Sequence, residues 1–381
     1  MTHRTALLYK RIYEAWNYRL RNVADGHWAG YCRPTSIVFL LTERCNAKCL
    51  HCDIWKNTGR EDSPQAEQWK QVVSDLRRWL GPVQIVFSGG EALMKPFTTD
   101  LAAHAVSEGL FLEVLTHGYW EDQSKIERLA RTKLWKVTIS LDGLGDTHTL
   151  VRGRPKFWER TLRSIETLQR IQKDERLNYT IRLKTVIMSH NLHEATEIAR
   201  FGNVEGMEVF YQAIEQNYNT PDDANWYLNS ENWPKDPALA VATVEKLIEL
   251  KRQGHRIANS HQQLEAMVSY FRDPAASRVA IMTHNAHEAR RSCSALTTLQ
   301  LQANGDVTVC TGADRIGNVK QQPIREMWEK RPKLWESGCC LEKRCSASEL
   351  SATVPASSLQ ASSAWNAPTE PSHDSPFVEK Q

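Results

Sequence analysis

"SIVFLLTERCNAKCLHC", residues 36–52, joins a short apolar run to a loop that carries three cysteines. The apolar run has the length of a buried β-strand and ends where the polar loop begins. Within the loop, Cys45, Cys49 and Cys52 are separated by three and then by two residues. Sites built only from thiolates select zinc, copper(I) or iron–sulfur clusters. The stretch therefore predicts a metal site directly after a strand.

The loop supplies three thiolates, whereas a structural zinc ion usually takes four ligands from two Cys-x-x-Cys-like halves. His51 and the distant Cys32 are conceivable fourth ligands. However, His51 lies between two of the cysteines, and a short loop resists turning all of these side chains the same way. An iron–sulfur cubane held by three thiolates, with one iron left open for another molecule, fits the spacing better. Zinc stays the alternative at this loop.

The apolar run is the first of six strand-like segments that alternate with helical patterns. Strands are predicted at 36–41, 83–88, 110–116, 135–142, 180–188 and 207–212, and helices at about 65–79, 97–108, 121–131, 156–173, 192–201 and 237–254. Serial β-α units predict a parallel sheet with helical crossovers, either open and doubly wound or part of a barrel. Neither Gly-x-Gly-x-x-Gly nor a Walker A sequence opens any of these helices, so nucleotide binding of those kinds is not predicted.

The composition is typical of a cytoplasmic globular protein. The chain has 381 residues, of which 41% are hydrophobic, and its net charge of +3 is too small for a nucleic-acid binder. The longest apolar run is only strand-sized, so no membrane span is expected, and the N-terminus lacks the features of a secretory signal. The nine cysteines are not expected to form disulfides, because the cytosol keeps thiols reduced.

Other segments are interpreted from pattern and composition. Residues 5–23 predict an amphipathic helix with a basic face, for which docking is favoured over membrane anchoring. The irregular loop at 213–236 follows the sixth strand and is either functional or a surface excursion. Residues 296–310 predict a β-hairpin in which Asn304-Gly305 forms a type I′ turn. The Ser-, Ala- and Pro-rich C-terminal segment is expected to be disordered.

Cys-x3-Cys-x2-Cys after the first strand of a β/α series resembles the radical S-adenosylmethionine (SAM) superfamily, and three further segments match it in order and position. "FSGGEALM" (87–94) follows the second strand and is similar to the family's Gly-Gly-Glu motif. "SLDG" (140–143) ends the fourth strand and is similar to a Ser-x-Asp-Gly segment near the ribose. "TVIMSHN" (185–191) ends the fifth strand, where members often place polar contacts to the cofactor. His51 stands where Tyr or Phe is common, which removes no ligand.

This resemblance implies an α/β fold: a partial (βα)6 TIM-like barrel with a small C-terminal β-hairpin/helix domain. It also implies that Cys45, Cys49 and Cys52 hold a [4Fe–4S] cluster whose open iron is chelated by SAM. One electron from the cluster would cleave SAM to a 5′-deoxyadenosyl radical, which abstracts hydrogen from a substrate. The implied cofactor-binding residues are Ser88, Gly89 and Gly90 at the methionine end, Glu91 on its ammonium group, and Ser140 and Asp142 on the ribose. Alternatively, the two glycines form only a strand–helix turn, Glu91 is a first-turn carboxylate and Asp142 is a cap.

The C-terminal cysteines resemble the twitch or SPASM extension of the same superfamily. Cys293, Gly305 and Cys310 match its opening pattern, and "GCCLEKRC" follows at 338–345. Five cysteines suffice for one auxiliary [4Fe–4S] cluster instead of the two of a full SPASM domain. The implied ligands are Cys293, Cys310, Cys340 and Cys345, with Cys339 as an alternative ligand or a spare. A structural zinc ion is the alternative, since four thiolates suit zinc equally well.

The expected organisation is an N-terminal helix (1–30), a radical SAM partial barrel (31–256), connecting helices (257–292), an auxiliary-cluster domain (293–347) and a disordered tail (348–381). The resemblance implies oxidative modification of a small molecule or a peptide, with a reducing partner such as flavodoxin or ferredoxin. Only 44 residues precede Cys45, which is too few for the peptide-binding winged-helix domain of many peptide maturases. A small molecule, or a peptide delivered by a separate protein, is therefore favoured. The alternatives are a peptide-maturation enzyme of a natural-product pathway and a non-enzymatic zinc-binding interaction protein.

Overall fold

A computed structural model describes residues 3–22, 28–59, 61–221, 223, 225–274, 294–310 and 314–333. Outside these residues lie Cys293, Cys339, Cys340 and Cys345, residues 275–292 of the expected connecting segment, and the expected tail at 348–381. The auxiliary cluster and the disordered tail therefore stay predictions.

The six predicted strands are confirmed and form one parallel sheet. They are β1 (Ser36–Leu40), β2 (Gln84–Ser88), β3 (Phe111–Thr116), β4 (Lys136–Ser140), β5 (Thr180–Ile187) and β6 (Glu208–Ala213). Strands that follow one another in the chain are neighbours in the sheet, in the order β6-β5-β4-β3-β2-β1. The predicted α/β fold is thus confirmed, and within the described residues the ladder of strands does not close into a complete barrel.

Helices fill the connections between the strands, close to the predicted ranges. They are α1 (His3–Asn22), α2 (Ala66–Leu80), α3 (Thr98–Ser107), α4 (Ser124–Arg131), α5 (Asp146–Arg152), α6 (Phe157–Asp174), α7 (Ala195–Val204), α8 (Trp226–Asn229), α9 (Pro237–Arg252), α10 (His261–Arg272) and α11 (Ile324–Glu329). The short helix α5 was not predicted, because its sequence has too few turns to show a period.

The strands have two different faces, which β5 illustrates. Along β5, buried and partly exposed residues alternate without interruption. Ile181, Leu183 and Ile187 belong to the hydrophobic core, in which apolar side chains of helices and strands pack together. Lys184 and Val186 point to the opposite face and line a cavity. The alternation therefore decides which side chains of each strand are available to a ligand.

The predicted C-terminal hairpin extends the main sheet. Its strands are β7 (Thr298–Leu301), β8 (Asp306–Thr308) and β9 (Gly317–Asn318). β7 pairs with β1 in parallel, and β8 and β9 follow in antiparallel order. The predicted type I′ turn is wrong, since that turn needs two residues with positive φ and only Gly305, at +89°, has one. The N–H of Gly305 instead donates to the Gln302 carbonyl at 2.8 Å, as in a three-residue loop that ends in a left-handed glycine.

Helix α1 packs against the β/α fold through two tyrosines. The Tyr13 hydroxyl donates to the Pro34 carbonyl at 2.7 Å, and the Tyr9 hydroxyl donates to the Leu80 carbonyl at 2.8 Å. These contacts agree with the predicted docking helix. Among the helices of the described ranges, none combines the length and the apolar character that crossing a membrane requires.

Candidate active site

A cavity of about 350 Å³ lies at the carboxyl ends of the parallel strands. Ser88 and Ser140, the last residues of β2 and β4, line it together with Thr116 at the end of β3. It is also lined by five loop residues, Cys45, Cys49, Cys52, Gly89 and Gly90, and by Arg152 at the end of α5. This edge of a parallel β/α sheet is where ligands bind. The fold therefore brings the cysteine loop, the Gly-Gly turn and Ser140 into one site.

The three thiols of the cysteine loop are shielded from solvent. Cys49 is buried, and Cys45 and Cys52 are half-buried. Burial raises the pKa of the Cys45 thiol to about 12 and also raises the pKa values of Cys49 and Cys52. All three are free of disulfides. Buried thiolates at this place need positive charge nearby, which the iron of a cluster supplies.

The Gly-Gly turn after β2 holds the start of the cysteine loop. The Gly90 N–H donates to the Thr42 carbonyl at 2.7 Å, and the Glu91 N–H donates to the Arg44 carbonyl at 2.9 Å. A Cβ on Gly89, whose φ is +127°, would lie 2.3 Å from the Thr42 carbonyl oxygen, and one on Gly90 would lie 2.4 Å from that of Arg44. Only glycine permits this approach of two backbones. The turn thus positions the cysteine loop as well as lining the cavity.

The far end of the cysteine loop is held by the long segment after β6. The side-chain amides of Asn217 and Asn232 both donate to the Leu50 carbonyl, at 3.1 and 3.0 Å. The Asp53 N–H donates to the Tyr218 carbonyl at 3.2 Å. The irregular segment at 213–236 therefore contributes to the site by fixing the loop that carries the cysteines.

Glu91 is not among the residues that line the cavity, and its expected bond to the ammonium group of SAM stays a prediction. It is 1% exposed, and its carboxylate accepts hydrogen bonds from the Thr116 hydroxyl at 3.0 Å and from the His117 backbone N–H at 2.9 Å. The Leu93 N–H adds a third at 3.1 Å. Both oxygens are thus engaged inside the protein, where they join the ends of β2 and β3.

Asp142 is also not among the residues that line the cavity, and its expected contact with the ribose of SAM stays a prediction. It is fully buried; its Oδ1 accepts from the Val186 N–H at 2.8 Å, and its Oδ2 lies 2.5 Å from Nη2 of Arg152. Burial alone raises the pKa of Asp142, but the Arg152 guanidinium and the Val186 hydrogen bond outweigh it, so the pKa is below its ordinary value. Nη1 of Arg152 lies 3.5 Å from the Cys49 sulfur. Asp142 therefore holds Arg152 beside a cysteine of the loop.

Three polar residues of the cavity were not among the site residues predicted from the sequence. Arg152 is in a helix too short to be predicted, and His51 was considered only as a conceivable fourth zinc ligand and as a departure from a family pattern. Burial lowers the pKa of His51 to about 4, and its Nδ1 makes no hydrogen bond to a described residue. Lys184 lines the cavity from β5. The sequence hint of this role is that Lys184 occupies one of the polar positions that alternate with apolar ones along β5.

The residues present fit a thiolate-bound cluster with a small polar ligand beside it. The donor set is three thiols on one loop, and buried polar atoms that need partners, His51 Nδ1 and Arg152 Nε, belong to residues of the same cavity. Within the described ranges, no three His, Cys, Asp or Glu side chains converge on a single metal-ion position. A [4Fe–4S] cluster takes each thiolate at a different iron, so its three ligands need not converge on one point.

Cys310, the one auxiliary-cluster candidate within the described residues, lies just after β8 and is half-buried. It is not among the residues that line the cavity. Its predicted partner cysteines are outside the described ranges, so its role stays a prediction.

The chain matches one family model and is similar in sequence to two tetrapyrrole synthases. Residues 39–201 match the family model of the radical SAM superfamily. The chain is 24% identical over 314 residues to the AdoMet-dependent heme synthase of Methanosarcina barkeri, which covers 78% of this chain and 82% of that protein. It is 26% identical over 307 residues to the pre-heme d1 synthase of Dinoroseobacter shibae, which covers 77% and 72%.

The fold is also similar to that of solved structures. One is native anSMEcpe with bound AdoMet and the peptide Cp18Cys, with a TM-score of 0.55 and 16% identity over 80% of this chain and 82% of that chain. At this identity the likeness shows a shared fold. The matched family range begins in β1 and ends in α7, so it contains the cysteine loop, the Gly-Gly turn and Ser140.

Proposed function

We propose that this chain is a radical SAM enzyme in which Cys45, Cys49 and Cys52 hold the [4Fe–4S] cluster, with SAM bound beside it in the cavity. The superfamily uses this cluster together with SAM. When bound, the two supply reductive cleavage of SAM and radical abstraction of a hydrogen atom from the substrate. The observation that carries the proposal is the meeting of three buried or half-buried thiols, the Gly-Gly turn and Ser140 in one cavity at the carboxyl edge of the sheet.

The residues of the chain position the reactants and exclude water. Two sets of hydrogen bonds, from the Gly-Gly turn and from Asn217 and Asn232, fix the two ends of the cysteine loop. Gly89 and Gly90 leave a wall without side chains for the methionine end of SAM, Ser88 lies beside them, and Ser140 presents a hydroxyl for the ribose. Arg152 places a positive charge beside Cys49, which stabilises its thiolate form. The contacts of Glu91 with the ammonium group of SAM and of Asp142 with its ribose stay predictions; in the structure both carboxylates are bonded inside the protein.

The C-terminal residues are proposed to form an auxiliary-cluster domain at 293–347. Cys293, Cys310, Cys340 and Cys345 would hold a second [4Fe–4S] cluster, with Cys339 as the alternative ligand. This proposal rests on the spacing of the cysteines. A reducing protein such as flavodoxin or ferredoxin is proposed as the electron donor.

For the substrate, a tetrapyrrole is favoured, because two synthases of heme and pre-heme d1 match more than three quarters of this chain. The proposed reaction is an oxidative modification of such a small molecule. A peptide is the second candidate, since a structure of the same fold holds AdoMet together with a peptide. A peptide substrate would place this chain among peptide-maturation enzymes.

Anaerobic reconstitution with iron and sulfide tests the proposal. The reconstituted protein is expected to be brown and, after reduction by dithionite, to release 5′-deoxyadenosine from SAM. Chromatography and mass spectrometry measure this release. Cys45→Ala, Cys49→Ala and Cys52→Ala should each abolish this release, whereas Cys32→Ala is the control, because Cys32 is buried far from the cavity lining. Retained release in any of the three loop variants would refute the ligand assignment.

The same preparation separates the enzyme from a zinc-binding interaction protein. Colourless protein with stoichiometric zinc and no 5′-deoxyadenosine would contradict the proposal. Cys310→Ala tests the auxiliary cluster: iron content should fall while release of 5′-deoxyadenosine continues. Unchanged iron content in Cys310→Ala would exclude this residue as a ligand.

A further inference from the structure

The inner face of the sheet carries two layers of polar side chains below the cysteine loop. The lower layer contains four charged residues, from β3, β4, β5 and β6. Arg182 Nη2 lies 2.7 Å from Glu208 Oε2, Lys136 Nζ lies 3.5 Å from the same oxygen, and Arg182 Nη1 lies 3.8 Å from Glu113 Oε1. Two cations thus face two carboxylates. This layer is balanced in charge and fully paired, as buried ions need to be.

The layer above it, which lines the cavity, is not paired in this way. Lys184 follows Arg182 by two residues on β5 and lies in register with Ser140 of β4. The other strand residues that line the cavity, among them Leu115 and Gln212, carry no charge. Within the described ranges, Lys184 Nζ makes no hydrogen bond and no ion pair within 4.0 Å. Burial lowers its pKa, and the carboxylate of Glu215, also in the cavity, opposes that effect from a greater distance.

The position of Lys184 separates it from the methionine end of SAM as proposed above. Gly89 and Gly90 follow β2, whereas Lys184 is on β5, three strand spacings away in the sheet order. At about 4.8 Å per spacing this is about 14 Å along the sheet. The cation on the cluster side is Arg152, whose Nη1 contacts the Cys49 sulfur at 3.5 Å. The carboxylate of SAM therefore has a nearer positive charge than Lys184.

We propose that Lys184 is the anion subsite of the substrate pocket and binds a carboxylate group of the substrate. The inference rests on the proposed function, because it assumes that SAM occupies the β2 side of the cavity. A half-buried ammonium group with unused donors gains most from a charged acceptor, which restores the hydrogen bonds that burial removes. For a tetrapyrrole, the group would be one of its propionate side chains. Glu215 would lie near the edge of this subsite and disfavour a second carboxylate there.

The experiment uses the reconstituted full chain under anaerobic conditions, with heme and its dimethyl ester as probes. Heme carries two free propionates, and the ester carries none. Binding of each probe is followed by its absorbance for the wild type, Lys184→Met and Lys184→Arg. We expect Lys184→Met to bind heme at least about tenfold more weakly and Lys184→Arg to recover most of the affinity. The ester should bind the wild type and Lys184→Met alike. Lys70→Met on α2, whose lysine is paired with Glu67, is the matched control for general loss of surface charge.

Three results would overturn the inference. The first is that the wild type does not bind heme. The second is that Lys184→Met binds heme as tightly as the wild type does. The third is that Lys184→Met also loses affinity for SAM, measured by calorimetry. Circular dichroism of each variant checks its fold, and Lys184→Arg keeps the test informative if Lys184→Met does not fold. Release of 5′-deoxyadenosine by the wild type without any probe reports on the proposed function separately. Its presence together with any of the three results would leave the radical SAM assignment standing and remove only the role of Lys184.

Discussion

Replacing Arg152 by methionine is the sharpest test of how the site is held together. The wild-type pair is almost fully buried, with Asp142 at 0% and Arg152 at 7% exposure, and its closest atoms are 2.5 Å apart. Removing one partner of a buried ion pair costs about 3–5 kcal/mol, because the other charge is left in a medium of low dielectric constant. In Arg152→Met, Asp142 keeps only its hydrogen bond from the Val186 N–H. We therefore expect the free energy of unfolding of the apoprotein to fall by about 3–5 kcal/mol at pH 7.

The pH dependence of this loss follows from the pKa of Asp142. In the wild type that pKa is below its ordinary value, so the stabilisation is present at neutral pH and is lost only as the pH falls below about 4. Without Arg152, burial raises the pKa of Asp142 above its value in the unfolded chain. As the pH falls, the carboxyl group of the variant becomes protonated and the variant gains stability. The difference in stability between wild type and variant should therefore narrow between pH 7 and pH 5.

Urea unfolding of the cluster-free protein, followed by tryptophan fluorescence, measures both effects. The double variant Asp142→Asn/Arg152→Met should be more stable than Arg152→Met alone, since it contains no unpaired buried charge. Arg160→Met is the matched control: Arg160 pairs with the largely exposed Glu121 and should cost at most about 1 kcal/mol. A loss below about 1 kcal/mol in Arg152→Met, or a loss that is the same at pH 5 and pH 7, would refute the reasoning.

Other parts of the site give further predictions. Gly90→Ala places a Cβ against the Arg44 carbonyl, so the reconstituted protein should bind much less iron, whereas Gly59→Ala, which has open space around it, should bind as much as the wild type. Glu91→Gln should lower the free energy of unfolding of the apoprotein, measured in urea, by about 1–3 kcal/mol, because the Glu91 carboxylate satisfies buried donors. If the stability of the apoprotein is unchanged and SAM binds more weakly, Glu91 has its expected role at the ammonium group instead. Asn232→Ala removes one of two donors to a loop carbonyl and should speed loss of iron to a chelator, and an unchanged rate would contradict its role in holding the loop.

Much of the fold was predictable from the sequence, because periodicity reports directly on it. The strands alternate or run apolar over five to eight residues, and helices such as α6 repeat their apolar positions over several turns. Helix α5 and the turn at Gly305 escaped prediction. The first is too short to show a period, and the second depends on the φ of Asn304, which the dipeptide alone does not decide. The cysteine loop was found from spacing alone, since its three thiols are consecutive in the chain.

The roles of single polar residues were less predictable. Glu91 and Asp142 belong to recognisable motifs, yet both are turned into the protein, where neighbouring strands supply donors that the sequence does not reveal. Ser140 and the two glycines, by contrast, line the cavity as expected, because the carboxyl ends of parallel strands always meet at one edge.

The sequence by itself determined the α/β class and the positions of the six parallel strands, and it predicted a thiolate site with three cysteines, because each of these is written in local pattern and spacing. Only the tertiary structure decided that Arg152 lies beside Cys49, that two asparagines 167 and 182 residues further along the chain hold the same loop, and that Lys184 faces the cavity above a paired layer of charges. Those facts depend on which segments, distant in the chain, the fold brings together. Burial then makes each such contact strong, since charges and hydrogen-bonding groups removed from water need partners.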